Sequence, residues 1–197
     1  ADLKAFAGMI EDNPGSDIPN PESDITIGDL FRKLYKPCIA QVQGPVYAGG
    51  FLMICGCTHV VSVSDAVFGL PEVKRGIWPM QVMASLSNIV AARPLLDWCM
   101  RGTKIDSKRA LELGVITDIT QKDTLSQTVE IIRDELLENS PVAIQNGLQA
   151  FDEMQDKSNE GRHKYLQDML KKTLMSEDAR EGLLAFREKR KPVWPGK

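Results

Sequence analysis

An α/β fold followed by a region of helices is predicted by three features of the sequence. Short apolar and β-branched segments typical of strands occur as far as residue 120, with helix-like segments between them. From Lys122 onward, apolar residues recur at helical spacing. With 197 residues and 43% hydrophobic content, the chain can bury one sizeable core. We therefore expect an α/β core over residues 1–137 and a helical C-terminal region over residues 138–197.

The first strand and helix of this core are separated by a glycine-containing turn. Cys38–Gln43 alternates small or apolar residues with polar ones, which predicts a strand ended by a Gly-Pro pair. The apolar run Phe51–Cys55 follows Ala48-Gly49-Gly50 and predicts a buried helix whose first turn contains glycines. Amide N–H groups at such a helix start are unobstructed and favour an anion, including the oxyanion that develops on a carbonyl during reaction.

One carboxylate follows the next strand. His59–Ser64 is β-branched and predicts a strand, and Phe68-Gly69-Leu70-Pro71-Glu72 then places Glu72 among apolar neighbours. A carboxyl group in such surroundings suits proton transfer near neutral pH. Taken alone, a double glycine is more often a turn, and a glutamate after proline is more often a solvated loop residue. The order of the two features makes them a candidate active site.

The remaining elements are predicted from the residues that begin or end helices and from the spacing of apolar residues. Before the first strand we expect a helix over Lys4–Ile10, a loop over Glu11–Asp24 and a helix over Asp24–Lys36. After Glu72 we expect helices over Met80–Val90 and Pro94–Met100, a helix capped by Ser107 and ended by Gly114, and a strand over Val115–Thr120.

The C-terminal third predicts helix after helix. One apolar stripe is formed by Leu125, Val129, Ile132 and Leu136, Ser140-Pro141 begins the next helix, and Gly161–Leu174 makes another. Asp178–Glu181 is a capping-box variant that we expect to open the last helix. Such a region cannot bury all its apolar faces alone, which predicts subunit association.

Charge and cysteine content limit the partners. A formal net charge of -3 indicates neither nucleic acid nor an anionic membrane as a partner. No apolar run reaches membrane-spanning length. The four cysteines lie in apolar contexts without metal-like pairing to the two histidines. We therefore expect reduced, buried thiols, no metal site and a cytoplasmic protein.

Three motifs occur in order along the first half of the chain. Lys36–Gly44 has the form K-P-x-I-A-x-V-x-G, Ala48-Gly49-Gly50 follows at a helix start, and Phe68–Glu72 has the form F-G-x-P-E. This order resembles the enoyl-CoA hydratase/isomerase (crotonase) superfamily. The resemblance implies a crotonase-type spiral of ββα units, with a helical C-terminal region that assembles trimers or hexamers.

The resemblance also implies a chemistry for the site. In the family, two backbone N–H groups hold the thioester oxygen of an acyl-CoA as it becomes an enolate. One of them maps to Gly49 and the other to Ala1, since Ala1-Asp2-Leu3-Lys4 is similar to the family's G-A-D-[IL]-K segment. Family members carry further strands and a helix before this segment, so we expect the N-terminal part of the family fold to be missing here. Coenzyme A would be part of the substrate, and no separate cofactor is implied.

One position departs from the hydratase pattern. Hydratases of the family commonly use a second glutamate three positions after the oxyanion glycine, and Leu52 occupies that position here. Leucine cannot orient a water or exchange a proton, whereas Glu72 can. Three alternatives follow: one carboxylate that shuttles a proton between two carbons, a hydratase that positions water differently, or a catalytically silent acyl-CoA-binding protein.

The last helix carries a further match. Glu177–Lys191 resembles the family's E-D-x-x-E-G-x-x-A-F-x-E-K-R segment, which implies that Phe186 and Lys189 reach the nucleotide end of CoA bound to a neighbouring subunit. An aromatic ring with cations suits a phosphorylated adenosine, and Lys4 could meet a CoA phosphate. A solvated basic helix end that complements the helix dipole explains the other cations equally well, namely Arg187, Arg190 and Lys191.

Overall fold

A computed structural model describes residues 27–197. Its strands are Ile39–Val42 (β1), Val46–Tyr47 (β2), His59–Val63 (β3), Val67–Gly69 (β4), Lys104–Asp106 (β5) and Asp118–Thr120 (β6). Its α-helices are Ile27–Arg32 (α1), Gly50–Ile54 (α2), Met80–Leu86 (α3), Ala92–Arg101 (α4), Ser107–Glu112 (α5), Leu125–Leu137 (α6), Pro141–Glu153 (α7), Asn159–Leu174 (α8) and Glu177–Glu188 (α9). The helix and loop expected before residue 25 lie outside the described residues.

The described strands form two small sheets. In the first, β1, β3 and β6 are all parallel, with Ile39 opposite His59 and Val61 opposite Asp118. In the second, β2 is parallel to β4, and β4 is antiparallel to β5. The strands β1 to β4 therefore alternate between the two sheets, with α2 between the two strand pairs, as in a spiral of strand–strand–helix units. β5 then joins the second sheet beside β4, and β6 joins the first.

The core is closed by aromatic side chains from three elements. Phe51 of α2 and Phe68 of β4 are fully buried, and Trp98 of α4 is almost so. The Phe51 ring centroid lies 6.4 Å from that of Phe68 and 5.5 Å from that of Trp98, the latter edge to face. This cluster fixes α2 and α4 relative to the second sheet.

The C-terminal helices attach to the core through polar contacts as well as packing. Leu125 of α6 is buried in the core. The Tyr35 hydroxyl donates to Asp152 of α7 at 3.3 Å, and Arg32 forms an ion pair with the same carboxylate at 2.9 Å. The proposed boundary between residues 137 and 138 stays a prediction.

Two predicted helix caps are wrong, for one physical reason. Asp106, not Ser107, caps α5 by accepting from the Arg109 N–H at 2.8 Å, while the buried Ser107 hydroxyl donates to the Val63 carbonyl. Ser176 likewise caps α9, and Asp178 lies inside that helix, buried. In both cases a distant partner attracts the residue that local spacing favoured as the cap.

Other boundaries differ from expectation. α3 ends at Leu86 rather than Val90, and the last strand of the first sheet covers only residues 118–120. β5 was not predicted, because Lys104–Asp106 has only three residues and a single apolar one, which is too short a run to show an alternation. The helix predicted over Asp24–Lys36 ends at Arg32, and two leucines expected on its buried face are exposed: Leu30 in α1 is 57% exposed, and Leu34, after its end, is 52% exposed.

Candidate active site

The glycine pair predicted as an anion-binding helix start lies at the beginning of α2. Gly49 precedes the helix with φ -56° and ψ -17°, and no side chain caps it. None of the described residues accepts a hydrogen bond from the Gly49 N–H. A side chain on Gly50 would place its Cβ 3.2 Å from the Val46 Cγ1 atom, so glycine allows α2 to lie close against β2.

The residue before this pair carries backbone strain that sequence reasoning missed. Ala48 has φ 45°, in the left-handed region that favours glycine. An L-residue in this conformation costs about 1–2 kcal/mol relative to the right-handed region. The Ala48 carbonyl accepts from the Phe51 N–H at 3.0 Å, which closes the tight turn into α2.

Glu72 lies in a short 3₁₀ helix, Pro71–Arg75, directly after β4. Pro71 starts this turn and Gly76, at φ 74°, ends it. The Glu72 Oε2 atom is buried and has no hydrogen-bond partner among the described residues. An unpartnered buried oxygen of this kind is costly, which makes Glu72 a functional candidate.

Strand pairing brings the two candidate groups to one edge of the second sheet. β2 and β4 are parallel neighbours, with Tyr47 opposite Gly69. Adjacent strands lie about 4.8 Å apart. Gly49 follows β2 and Glu72 follows β4, so both leave the sheet at its carboxyl edge, where open α/β sheets place their sites.

α4 supplies the neighbour of this carboxylate. Cys99 is fully buried, and its pKa is raised first by burial and then by the negative charge of Glu72. Burial also raises the pKa of Cys55 to about 12, with a smaller contribution from Cys57. The Cys99 and Cys55 thiols are therefore protonated at neutral pH and are poor nucleophiles. All four cysteines are free, but the expectation that all are buried is wrong: only Cys99 is buried, and the other three are half-buried.

The position of the family's second glutamate is used for packing. Leu52 is partly buried in α2 and packs against the hydrophobic core. No group of three or more histidine, cysteine or acidic side chains in residues 27–197 could hold a metal ion. Leu52 therefore supplies no acid/base group, and the role of Glu72 in proton transfer stays a prediction.

A groove of about 570 Å³ lies beside α2, within the usual size of small-molecule pockets. Tyr47 of β2, Gly50 and Met53 of α2, and Cys57 contribute to its walls. Most of its lining side chains are apolar, but neither Gly49 nor Glu72 is among them.

The aromatic and basic residues near the end of α9 have different surroundings. Phe186 is 87% exposed, and the exposed Lys189 ends α9 at φ 55°. Arg190, by contrast, forms ion pairs with Glu181 and Glu188 of the same chain. Arg190 is therefore more than part of a solvated basic helix end, because its guanidinium group forms ion pairs within the chain. Ala1 and Lys4 lie outside the described residues.

No helix among residues 27–197 has the length and apolar content needed to cross a membrane.

Comparison with known proteins identifies the family. The family model described as enoyl-CoA hydratase/isomerase matches residues 7–197. A carnitinyl-CoA dehydratase of Escherichia coli (strain SMS-3-5 / SECEC) is 31% identical over 201 residues, covering 100% of this chain and 76% of that protein. One from Citrobacter koseri is 30% identical over the same length.

Solved structures agree with this assignment. The enoyl-CoA hydratase from Mycobacterium tuberculosis H37Rv superimposes with a TM-score of 0.85 at 27% identity, covering 100% of this chain and 75% of that one. A Geobacillus kaustophilus HTA426 enoyl-CoA hydratase gives a TM-score of 0.79 at 29% identity, covering 86% and 66%. The predicted crotonase-type fold is confirmed, and the chain belongs to the enoyl-CoA hydratase/isomerase family of enzymes.

Proposed function

We propose that this protein acts on an acyl-CoA thioester as an enoyl-CoA hydratase or isomerase, with Glu72 as its single acid/base. The observation that carries the proposal is the pairing of β2 with β4, which delivers Gly49 and Glu72 to one sheet edge. The buried, unpartnered Oε2 atom of Glu72 supports it. Relatives named carnitinyl-CoA dehydratase support elimination or addition of water as the chemistry.

The mechanism uses a backbone donor and a carboxylate. Glu72 removes a proton from a carbon of the acyl chain, and the electron pair moves into the thioester to form an enolate. The N–H groups of Gly49 and Ala1 stabilise the enolate oxygen, and such donors contribute most where charge develops. Glu72 then returns the proton to a second carbon, or it gives the proton to a β-hydroxyl group, whose C–O bond breaks as water leaves and the enolate electron pair forms the C=C bond. Coenzyme A is part of the substrate, and no separate cofactor is required.

Leu52 makes isomerisation the simpler of these outcomes without excluding hydration. Moving one proton between two carbons requires one carboxylate, whereas hydration also requires a group that orients water. The packing of Leu52 in the core removes that group from α2. We therefore keep isomerisation and hydration of an enoyl-CoA as the two reactions of this site.

The assembly that we propose is a homotrimer or a pair of trimers. Leu166, Leu170 and Leu174 recur at four-residue spacing on α8 and are all exposed, as are Leu183 and Phe186 of α9. In such an assembly Phe186, Lys189 and Lys4 would contact the nucleotide end of CoA. The free cysteines support a cytoplasmic setting.

A catalytically silent acyl-CoA-binding protein is the second candidate. Leu52 favours it, because this side chain packs against the core and supplies no acid/base group. Such a protein would bind acyl-CoA without converting it.

Turnover of a panel of 2-enoyl-CoA and 3-enoyl-CoA thioesters separates the candidates. The full chain is incubated with each thioester, and the absorbance of the conjugated 2-enoyl thioester is followed. Loss of this absorbance indicates hydration, and its appearance from a 3-enoyl thioester indicates isomerisation. Tight binding of every thioester without turnover would contradict the enzyme and favour the binding protein.

A further inference from the structure

Gly102 ends α4 where this helix meets the turn that carries Glu72. Its φ of 56° lies in the left-handed region, and its N–H donates to the Trp98 carbonyl at 3.0 Å. A Cβ atom on Gly102 would lie 2.8 Å from the Val73 Cγ1 atom and 3.4 Å from the Leu70 carbonyl oxygen. The first distance is shorter than two carbon atoms tolerate, so a side chain here would displace one of the two elements.

Leu70 and Val73 flank Glu72 on both sides in the sequence. Leu70 is fully buried and leads into the 3₁₀ helix, and Val73 is half-buried within it. Their contact with the end of α4 therefore sets the position of the turn. Cys99, one turn earlier on α4, is near enough for the negative charge of Glu72 to contribute, after burial, to the raised pKa of its thiol.

The end of α4 is the more firmly held of the two elements. The Trp98 indole N–H donates to the Thr103 carbonyl at 2.9 Å, across Gly102, and its ring packs edge to face on Phe51. The 3₁₀ helix has only five residues, no side chain caps its start, and its Lys74 and Arg75 are exposed. A collision at Gly102 would consequently move the turn and Glu72 rather than α4.

We propose that Gly102 is a positioning residue for Glu72. Because Gly102 has no side chain, the 3₁₀ helix can pack against α4, and this packing keeps the carboxylate in the position needed for proton transfer. This inference rests on the proposed function for its catalytic consequence. The close contact itself does not depend on the reaction.

Gly114 provides a matched control. It ends α5 at φ 76°, so alanine there meets the same backbone penalty as at Gly102. The nearest atom to its added Cβ is the Ile89 Cγ2 atom at 3.7 Å, an ordinary contact. The Gly102→Ala and Gly114→Ala variants therefore differ mainly in the collision with Val73.

The test compares kcat and KM for wild type, Gly102→Ala, Gly114→Ala and the double variant Val73→Ala/Gly102→Ala. We expect Gly102→Ala to lower kcat by about tenfold or more with KM within about threefold, because a small misplacement of a reacting group is expensive. Gly114→Ala should stay within about twofold of wild type in kcat, and the double variant, which removes the colliding Val73 methyl groups, should regain most of kcat.

A second measurement does not require turnover. The Gly76 N–H donates to the Val73 carbonyl at 3.2 Å and the Ile77 N–H to the Glu72 carbonyl at 3.3 Å, so their hydrogen exchange reports the turn. We expect faster exchange at both amides in Gly102→Ala only, with recovery in the double variant. If Gly102→Ala does not fold, a folded double variant with wild-type exchange supports the contact, and an unfolded one contradicts it.

The two proposals fail in different ways. Absence of turnover in wild type would overturn the proposed function, while the exchange comparison would still decide the role of Gly102. Equal exchange in the two glycine variants, or no recovery in the double variant, would overturn the positioning role.

Discussion

At the scale of single residues, the backbone at Ala48 is strained where the proposed anion-binding turn begins. A non-glycine residue in the left-handed region persists only when its surroundings hold it there. Here the Ala48 carbonyl accepts from Phe51, whose side chain is fully buried in the aromatic cluster. The buried ring thus holds the turn in place against its local preference.

Relief of this strain is measurable. We expect Ala48→Gly to raise the free energy of unfolding by about 0.5–1 kcal/mol, because the conformational gain exceeds the entropy that glycine adds to the unfolded chain. The measurement is the urea midpoint. Ala84→Gly, at an exposed site within α3, is the control and should destabilise by about 0.5–1 kcal/mol. A loss of stability at both positions would mean that Ala48 is not strained.

The residues of the site could be predicted from the sequence only where the signal was local. The order of Gly49 and Glu72 along the chain identified both candidates, because a glycine-containing helix start and an isolated carboxylate are visible in sequence. The left-handed conformation of Ala48 and the contact of Gly102 with Val73 were not visible. Both depend on how distant elements approach each other.

At the scale of elements, two carboxylates hold the C-terminal tail, residues 189–197, against α9 and the start of α7. Buried Asp178 accepts from the Ser140 hydroxyl at 2.6 Å and from the Gly196 N–H at 2.8 Å. Glu181 accepts from the Val193 N–H at 2.8 Å and pairs with Arg190. Asp178 and Glu181, the acidic residues of the last motif, therefore stabilise the position of the C-terminal tail.

Asp178→Asn should be strongly destabilising. The change keeps the shape of the side chain but turns an amide N–H toward groups that already donate, so we expect a loss of about 2–4 kcal/mol. Chemical denaturation followed by tryptophan fluorescence measures it. Asp168→Asn, which removes an exposed carboxylate paired with Lys171, is the control and should change stability by less than about 0.5 kcal/mol. Equal effects would show that Asp178 is not a tertiary anchor.

The same two carboxylates predict an acid transition. Burial raises the pKa of Asp178, but hydrogen bonds from Ser140, Gly196 and Val142 outweigh it and lower the pKa below its usual value. Arg190 and then the Val193 N–H lower the pKa of Glu181 to about 2. In the unfolded chain both groups titrate near pH 4. Between these values the unfolded state binds more protons, so stability should rise with pH.

Denaturation midpoints between pH 2 and pH 6 test this prediction. We expect the midpoint to increase from about pH 2 to about pH 4 and then to level off. The slope should be smaller in Asp178→Asn, because one of the two groups no longer titrates. A variant slope equal to that of wild type would show that Asp178 does not contribute.

Prediction of elements succeeded where apolar spacing was regular and failed where polar residues have distant partners. The long helices α6, α7 and α8 were expected from their stripes and from the Ser140-Pro141 start. Ser107 and Asp178 were assigned as caps, because no local signal shows that Val63 and Ser140 lie beside them.

At the scale of the whole molecule, apolar surface is unevenly distributed. The stripe on α8, formed by Leu166, Leu170 and Leu174, is 38%, 58% and 57% exposed. A regular apolar stripe of this kind is unusual on a free surface and is typical of an interface. It lies in the helical region for which subunit association was predicted.

Sedimentation measurements test the association. We expect the wild-type protein to sediment as a trimer or as a pair of trimers, and Leu170→Asp to shift the distribution toward single chains by placing a charge in the interface. Leu96→Asp changes an exposed leucine of α4, outside this stripe, and should leave the distribution unchanged. Identical profiles for the two variants would place the interface elsewhere.

The most direct test of the whole account is the kcat of Glu72→Gln on the thioester that wild type converts, measured beside the Kd for a saturated acyl-CoA. Glu112→Gln, at an exposed carboxylate paired with Arg109, is the control. The account predicts a fall in kcat of about 10²–10⁴-fold for Glu72→Gln, with the Kd within about threefold and the control unchanged. A Glu72→Gln variant that keeps more than about a tenth of the wild-type kcat would contradict the single-carboxylate mechanism.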